Sequence, residues 1–125
     1  MAAIAKKRVL LVDDDPELLE SVRIALMLRG YEVLTACDGA EALARAERDR
    51  PDLMVLDLVM PRRSGLTVLD RIRCTALRST PIIMMTATDE ERHRDAAKLR
   101  GVSVFLSKPF AIEQLLTEVD TILNA

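Results

Sequence analysis

Five short apolar runs, each followed by a turn and then a stretch of helical period, constrain this chain of 125 residues more than any other feature. The runs are Arg8–Val12 (RVLLV), Tyr31–Ala36 (YEVLTA), Leu53–Leu56 (LMVL), Pro81–Met85 (PIIMM) and Val102–Leu106 (VSVFL). Three of them are near-continuous in hydrophobicity, as expected for strands covered on both faces by helices in a parallel sheet. The second and fifth are more mixed, which suits edge strands. Between the runs lie helical faces: Leu18, Leu19, Val22, Ala25 and Leu26; then Ala40, Leu43 and Ala44; then Leu66, Leu69 and Ile72. Ile112, Leu115, Leu116, Val119, Ile122 and Leu123 follow the 3.6 period most clearly. Asp89–Arg100 is the weakest, with only Ala96, Ala97 and Leu99 to bury. Arg29-Gly30, Asp38-Gly39 and Arg100-Gly101 read as turns or helix caps. A strand–helix unit repeated five times predicts one α/β domain with an open, doubly wound parallel sheet and right-handed crossovers.

Composition narrows what such a domain does. With 18 basic and 20 acidic side chains and a net charge of -2, nothing pulls it toward nucleic acid or a membrane surface. No apolar stretch approaches a membrane span. Cys37 and Cys74 form no metal or redox motif, and two free thiols suit a reducing cytoplasm. The four glycines, Gly30, Gly39, Gly65 and Gly101, are scattered, so there is no phosphate-cradling loop, and two Phe and one Tyr leave little for a flavin pocket.

In open parallel sheets, ligands bind beyond the carboxyl ends of the strands. Here the first run ends in Asp13, Asp14 and Asp15, the third in Asp57 and the fourth in Thr86; Ser107, Lys108 and Pro109 follow the fifth. Taken singly, each has an ordinary role. Asp15 before Pro16 is a helix N-cap, Asp57 opens a turn, Thr86 caps a helix and Lys108 is a solvated charge. Together they describe a site. Converging carboxylates repel one another unless a cation intervenes, and magnesium takes oxygen ligands, often one or two carboxylates with phosphate. A hydroxyl and an ammonium are what a transferring phosphoryl group needs for its oxygens, with one carboxylate as nucleophile.

RVLLVDDDPELLE, DLVMPRRSGL, PIIMMTA and FLSKPF resemble the four signature regions of response regulator receiver domains, in register from about Arg8 to Leu123. The resemblance implies a flavodoxin-like (βα)5 fold with strand order 2-1-3-4-5, and a single receiver domain over 1–125 with no output domain. It implies that Asp57 is the phosphoacceptor, in a reaction needing Mg2+ or Mn2+. Asp14, Asp57 and the Val59 backbone carbonyl would hold the metal, with Asp13 acting mainly through water. Thr86 would be the switch hydroxyl, Lys108 the phosphoryl-binding lysine and Phe105 the switch aromatic. Gly65 would be structural, and Lys108-Pro109 would be a cis peptide bond. The implied partners are a sensor histidine kinase or a histidine phosphotransfer protein and an unnamed output partner, with phosphorylation-dependent homodimerisation as a further expectation. Phosphorylation would switch the face built from the fourth helix, fifth strand and fifth helix. Such a chain is no enzyme beyond catalysing its own phosphorylation and dephosphorylation.

The chain departs from the family pattern in places. The switch aromatic is Phe, which has no phenol to hydrogen-bond, so any readout rests on packing. Arg62 and Arg63 stand where small or apolar side chains are common, and Val59 and Thr88 occupy positions that tune phosphoryl lifetime. Two alternatives remain at this level. An aspartyl-phosphate phosphatase would need a second Asp where Val59 stands. A pseudo-receiver used only for docking would usually have lost an acidic residue, the Thr or the Lys.

Overall fold

The computed structural model describes residues 6–58, 65–75, 77–86, 91–102 and 104–124, with the backbone alone for 91–93. Ten elements alternate along the described residues. They are β1 (Arg8–Val12), α1 (Pro16–Leu28), β2 (Glu32–Ala36), α2 (Gly39–Asp49), β3 (Leu53–Asp57), α3 (Gly65–Arg73), β4 (Ile82–Thr86), α4 (Glu91–Leu99), β5 (Val104–Ser107) and α5 (Ile112–Leu123). The strands form one parallel sheet in the order β2-β1-β3-β4-β5. This is the expected doubly wound, flavodoxin-like arrangement. The mixed runs are indeed the edges, and the central β3 and β4 are buried along their whole length.

The pleat divides the core into two layers, because successive strand residues point to opposite faces. Leu10, Val12, Met54, Leu56 and Met84 face α2, α3 and α4, where Ala42, Ala46, Val68, Leu69, Ile72 and Ala97 meet them. Val9, Leu11, Val55, Ile83 and Met85 face α1 and α5, against Val22, Leu26, Leu115, Leu116 and Val119. Fully burying a side chain of this kind is worth roughly 1.5–3 kcal/mol. The layers therefore hold the strands, and with them the strand ends, in a fixed register.

Helix starts follow local chemistry. The Asp15 carboxylate accepts from the Glu17 and Leu18 amides, with Pro16 in the first turn. Asp38 caps α2 through the Glu41 amide. Gly30 and Gly101, with φ of 92° and 88°, take the left-handed turns after α1 and α4.

Two expected faces differ. In α2 the buried residues are Gly39, Ala42 and Ala46, whereas Ala40 and Ala44 are exposed and Leu43 is half-buried. Alanines at 40, 42, 44 and 46 lie on both sides of the helix, so small size alone does not select a face. In α4, Leu99 is 88% exposed while Ala97 is fully buried. Two residues apart on a helix means roughly 200° of rotation, so both cannot face the sheet. Ala96 is half-buried. Residues 89 and 90, expected in this helix, lie outside the described residues. Among the described residues, no helix is long and apolar enough to cross a membrane.

Candidate functional site at the strand ends

Parallel pairing carries the polar strand ends to one edge of the sheet. Val12 pairs with Leu56, so Asp13 and Asp57, the next residues of two neighbouring strands, stand side by side. Asp57 pairs with Met85, one residue short of Thr86, and Thr86 pairs with Ser107. The amide of Lys108 donates to the Thr86 carbonyl at 2.6 Å, which ties the segment after β5 to the end of β4. The Lys108-Pro109 bond is cis.

The site is dry at its base and open at its rim. Asp13, Asp57 and Thr86 are 0%, 4% and 1% exposed, whereas Asp14 is exposed and Lys108 is partly buried. The Lys108 ammonium bridges two carboxylates, at 2.5 Å to Asp13 Oδ2 and 3.1 Å to Asp57 Oδ2. Asp13 Oδ1 accepts the Asp15 amide at 2.9 Å, so the turn after β1 orients the carboxylate. Burial works against the charge on Lys108, but the hydrogen bond to Asp13 and the charges of Asp57 and Asp13 outweigh it. They hold the ammonium above the ordinary lysine value.

Asp13, Asp14 and Asp57 each offer a carboxylate oxygen, and these oxygens lie within 4.8 Å of one another. An all-oxygen donor set with one solvent-facing member fits a hard divalent cation that keeps part of its water shell. A second acidic group, Cys37, Asp38 and Glu41, meets the same distance criterion. There Asp38 is already used as the α2 cap, and the Cys37 thiol donates to Glu41.

Gly65 closes the site from below. Its amide donates to the Leu58 carbonyl at 2.8 Å. A Cβ placed on it would lie 2.4 Å from the Asp57 carbonyl oxygen and 2.8 Å from Leu58 Cα. Only glycine lets α3 start this close to the end of β3. Phe105, opposite Met84, is half-buried and packs with the layer under α2, α3 and α4, the face to which Thr86 also alternates. Val59, Arg62, Arg63 and Thr88 lie outside the described residues.

Three neighbours escaped the sequence reading. Leu18 and Phe110 join Asp15, Lys108 and Pro109 in lining a groove of about 400 Å³ beside the carboxylates. Leu18 belongs to the α1 stripe and Phe110 follows Pro109, so only the fold shows them at the rim. Arg94 stacks on Phe105 from α4, and nothing in the pattern of Asp89–Arg100 singles it out. A larger cavity of about 770 Å³ opens at the opposite end of the sheet, among Lys7, Arg29, Tyr31, Asp120 and Asn124. Two of its cations are engaged locally: Lys7 with the Leu123 carbonyl, Arg29 with Asp120 and Glu113. It lies away from the carboxylate cluster.

Known proteins agree with this architecture. Residues 9–120 match the model of the response regulator receiver domain. A response regulator MprA from Mycobacterium leprae is 46% identical over 121 residues, covering 94% of this chain and 51% of the relative. The chain thus spans about half the length of the curated relatives it matches. The chemotaxis protein CheY4 of Vibrio cholerae superposes with a TM-score of 0.89 at 36% identity, covering 95% of this chain and all of that one. A CheY-like receiver domain from Methanospirillum hungatei superposes at 0.90 with 28% identity, covering 96% and 95%. By sequence and by fold, the chain belongs to the response regulator receiver domains of two-component signalling.

Proposed function

We propose that this domain accepts a phosphoryl group on Asp57 from the phosphohistidine of a sensor kinase or a phosphotransfer protein. The observation that carries the reading is the convergence of Asp13, Asp14 and Asp57 at one sheet edge, with Lys108 bridging Asp13 and Asp57. A carboxylate oxygen of Asp57 attacks phosphorus, the bond from phosphorus to histidine nitrogen breaks, and an aspartyl phosphate forms. Water later cleaves the phosphorus–oxygen bond and returns the carboxylate. Receiver domains are not ordinary enzymes with a free substrate, and here the only reaction is on the domain itself.

Mg2+ or Mn2+ would be held by Asp14, Asp57 and the Val59 carbonyl, with Asp13 behind a water. When bound, it neutralises charge on the phosphoryl oxygens. Lys108 shifts its ammonium from Asp57 to a phosphoryl oxygen while keeping Asp13 as its counter-charge. The Thr86 hydroxyl donates to another oxygen. The aspartyl phosphate brings roughly two negative charges to a nearly dry site, and Phe105 repacks into the space Thr86 leaves. The consequence is a population shift of the α4–β5–α5 face toward a packing that an output partner, or a second copy, recognises.

The test is intact mass after treatment with an acyl phosphate and Mg2+. The wild type should gain one phosphoryl group and Asp57→Asn none. A wild type that gains nothing, or an Asp57→Asn protein that gains as much, overturns the assignment.

A further inference from the structure

Helix α4 meets the core through Ala97 alone among its described, fully buried side chains, yet one of its polar residues is committed to β5. The Arg94 guanidinium lies over the Phe105 ring, 5.5 Å from the centroid. It also donates to the Ser107 hydroxyl at 3.2 Å. Its Nε is buried and has no hydrogen-bond partner among the described residues. Phe105 and Ser107 alternate to the same face of β5, Ser107 pairs with Thr86, and Lys108 follows directly. One cation therefore holds both residues that lead from α4 to the phosphoryl-binding groups. A planar guanidinium can stack and donate at once, which an ammonium does less well. The unpaired Nε marks a resting packing whose hydrogen bonding a second arrangement can improve.

We propose that Arg94 is a positioning residue that latches α4 onto Phe105 and Ser107 in the resting state, and that phosphoryl acceptance releases it. The proposal rests on the reading of Asp57 as phosphoacceptor. When Thr86 turns to the phosphoryl group and Phe105 follows, the guanidinium loses its ring platform. The helix, weakly anchored by apolar contacts, is then free to shift. Coupling of this kind is reciprocal, so the latch opposes phosphoryl binding by as much as phosphoryl binding opposes the latch.

The chain contains only Phe105 and Phe110, so uniform fluorophenylalanine labelling yields two fluorine resonances, assigned with Phe110→Leu. The probe is trifluoroberyllate, a phosphoryl mimic, titrated with Mg2+. In the resting protein, Arg94→Gln should move the Phe105 resonance toward its position in mimic-bound wild type. Half-saturation should fall roughly two- to fivefold, the population change a cation–π contact of this class can hold. Arg94→Lys should lie between. A merely structural role would weaken binding, so unchanged or weaker binding by Arg94→Gln, or an unmoved resting resonance, overturns the latch. If instead the wild type takes up neither mimic nor phosphate, the phosphoacceptor reading fails, and the release step with it. The resting spectra separate that failure from a failure of the latch.

Discussion

Lys108 stands between two carboxylates that would otherwise face each other almost out of water. Removing one partner of such a set leaves uncompensated buried charge. Lys108→Met should therefore lower the stability of the metal-free protein by about 1–3 kcal/mol in urea unfolding, discounted because the ammonium is partly exposed. Millimolar Mg2+ should recover part of that loss, since a cation bound only to the folded state stabilises it. Mg2+ that stabilises neither the wild type nor Lys108→Met would show that the carboxylates do not share a cation site. Gly65 tests the same place from the backbone. Gly65→Ala drives a methyl into the Asp57 carbonyl and Leu58 Cα, which cannot yield as a side chain can. The expected loss is about 2–4 kcal/mol, with slower phosphoryl uptake than wild type. A neutral Gly65→Ala would mean that α3 starts farther from β3.

At the scale of elements, α4 and α5 differ in how they are held. Helix α5 buries Leu115, Leu116, Val119 and Leu123, while α4 buries Ala97 and leaves Leu99 in solvent. Amide exchange should therefore be faster across residues 91–99 than across 112–123, the order expected for a weakly anchored element. Leu99→Lys should change stability by less than about 0.5 kcal/mol. The weakness of α4 was legible in DEERHRDAAKLR, because few apolar residues mean little to bury. Which of them faces inward was not, since two neighbouring alanines and a leucine do not fix the rotation of a short helix. The same ambiguity hid the buried face of α2, where alanine occupies every second position. By contrast, the α5 stripe was readable because leucines, isoleucines and a valine recur at one period among polar residues.

At the scale of the molecule, the two ends of the sheet do different work. One end gathers Asp13, Asp14, Asp57, Thr86 and Lys108; the other is tied by Tyr31, Asp120 and Asn124. The Tyr31 hydroxyl donates to Asp120 at 2.5 Å, and burial, with that contact, holds its proton above the ordinary tyrosine value. A group whose pKa is raised by folding contributes fully below its unfolded value, about 10, and loses its contribution as pH rises through the higher folded value. Tyr31→Phe should thus be less stable than wild type by about 0.5–1.5 kcal/mol near pH 8. The gap should narrow above about pH 10. A gap that widens there would contradict the assignment.

The polar ends of the apolar runs made the first of these regions legible, because a parallel sheet must bring such ends together. The bridging geometry of Lys108 was not, since a lysine's reach depends on the turn that carries it. The Tyr31 cluster and the Arg94 stack were not legible either, because each joins elements whose contact only the packing decides. Asp57, among all these acidic groups, is the one proposed to take the phosphoryl group. The most direct measurement is to treat the protein with an acyl phosphate and Mg2+, reduce it with borohydride, and map the modified peptide by mass spectrometry. The reduced acyl phosphate is expected at position 57 alone; modification at Asp13, Asp14 or any other carboxylate, with position 57 unchanged, would overturn the proposal.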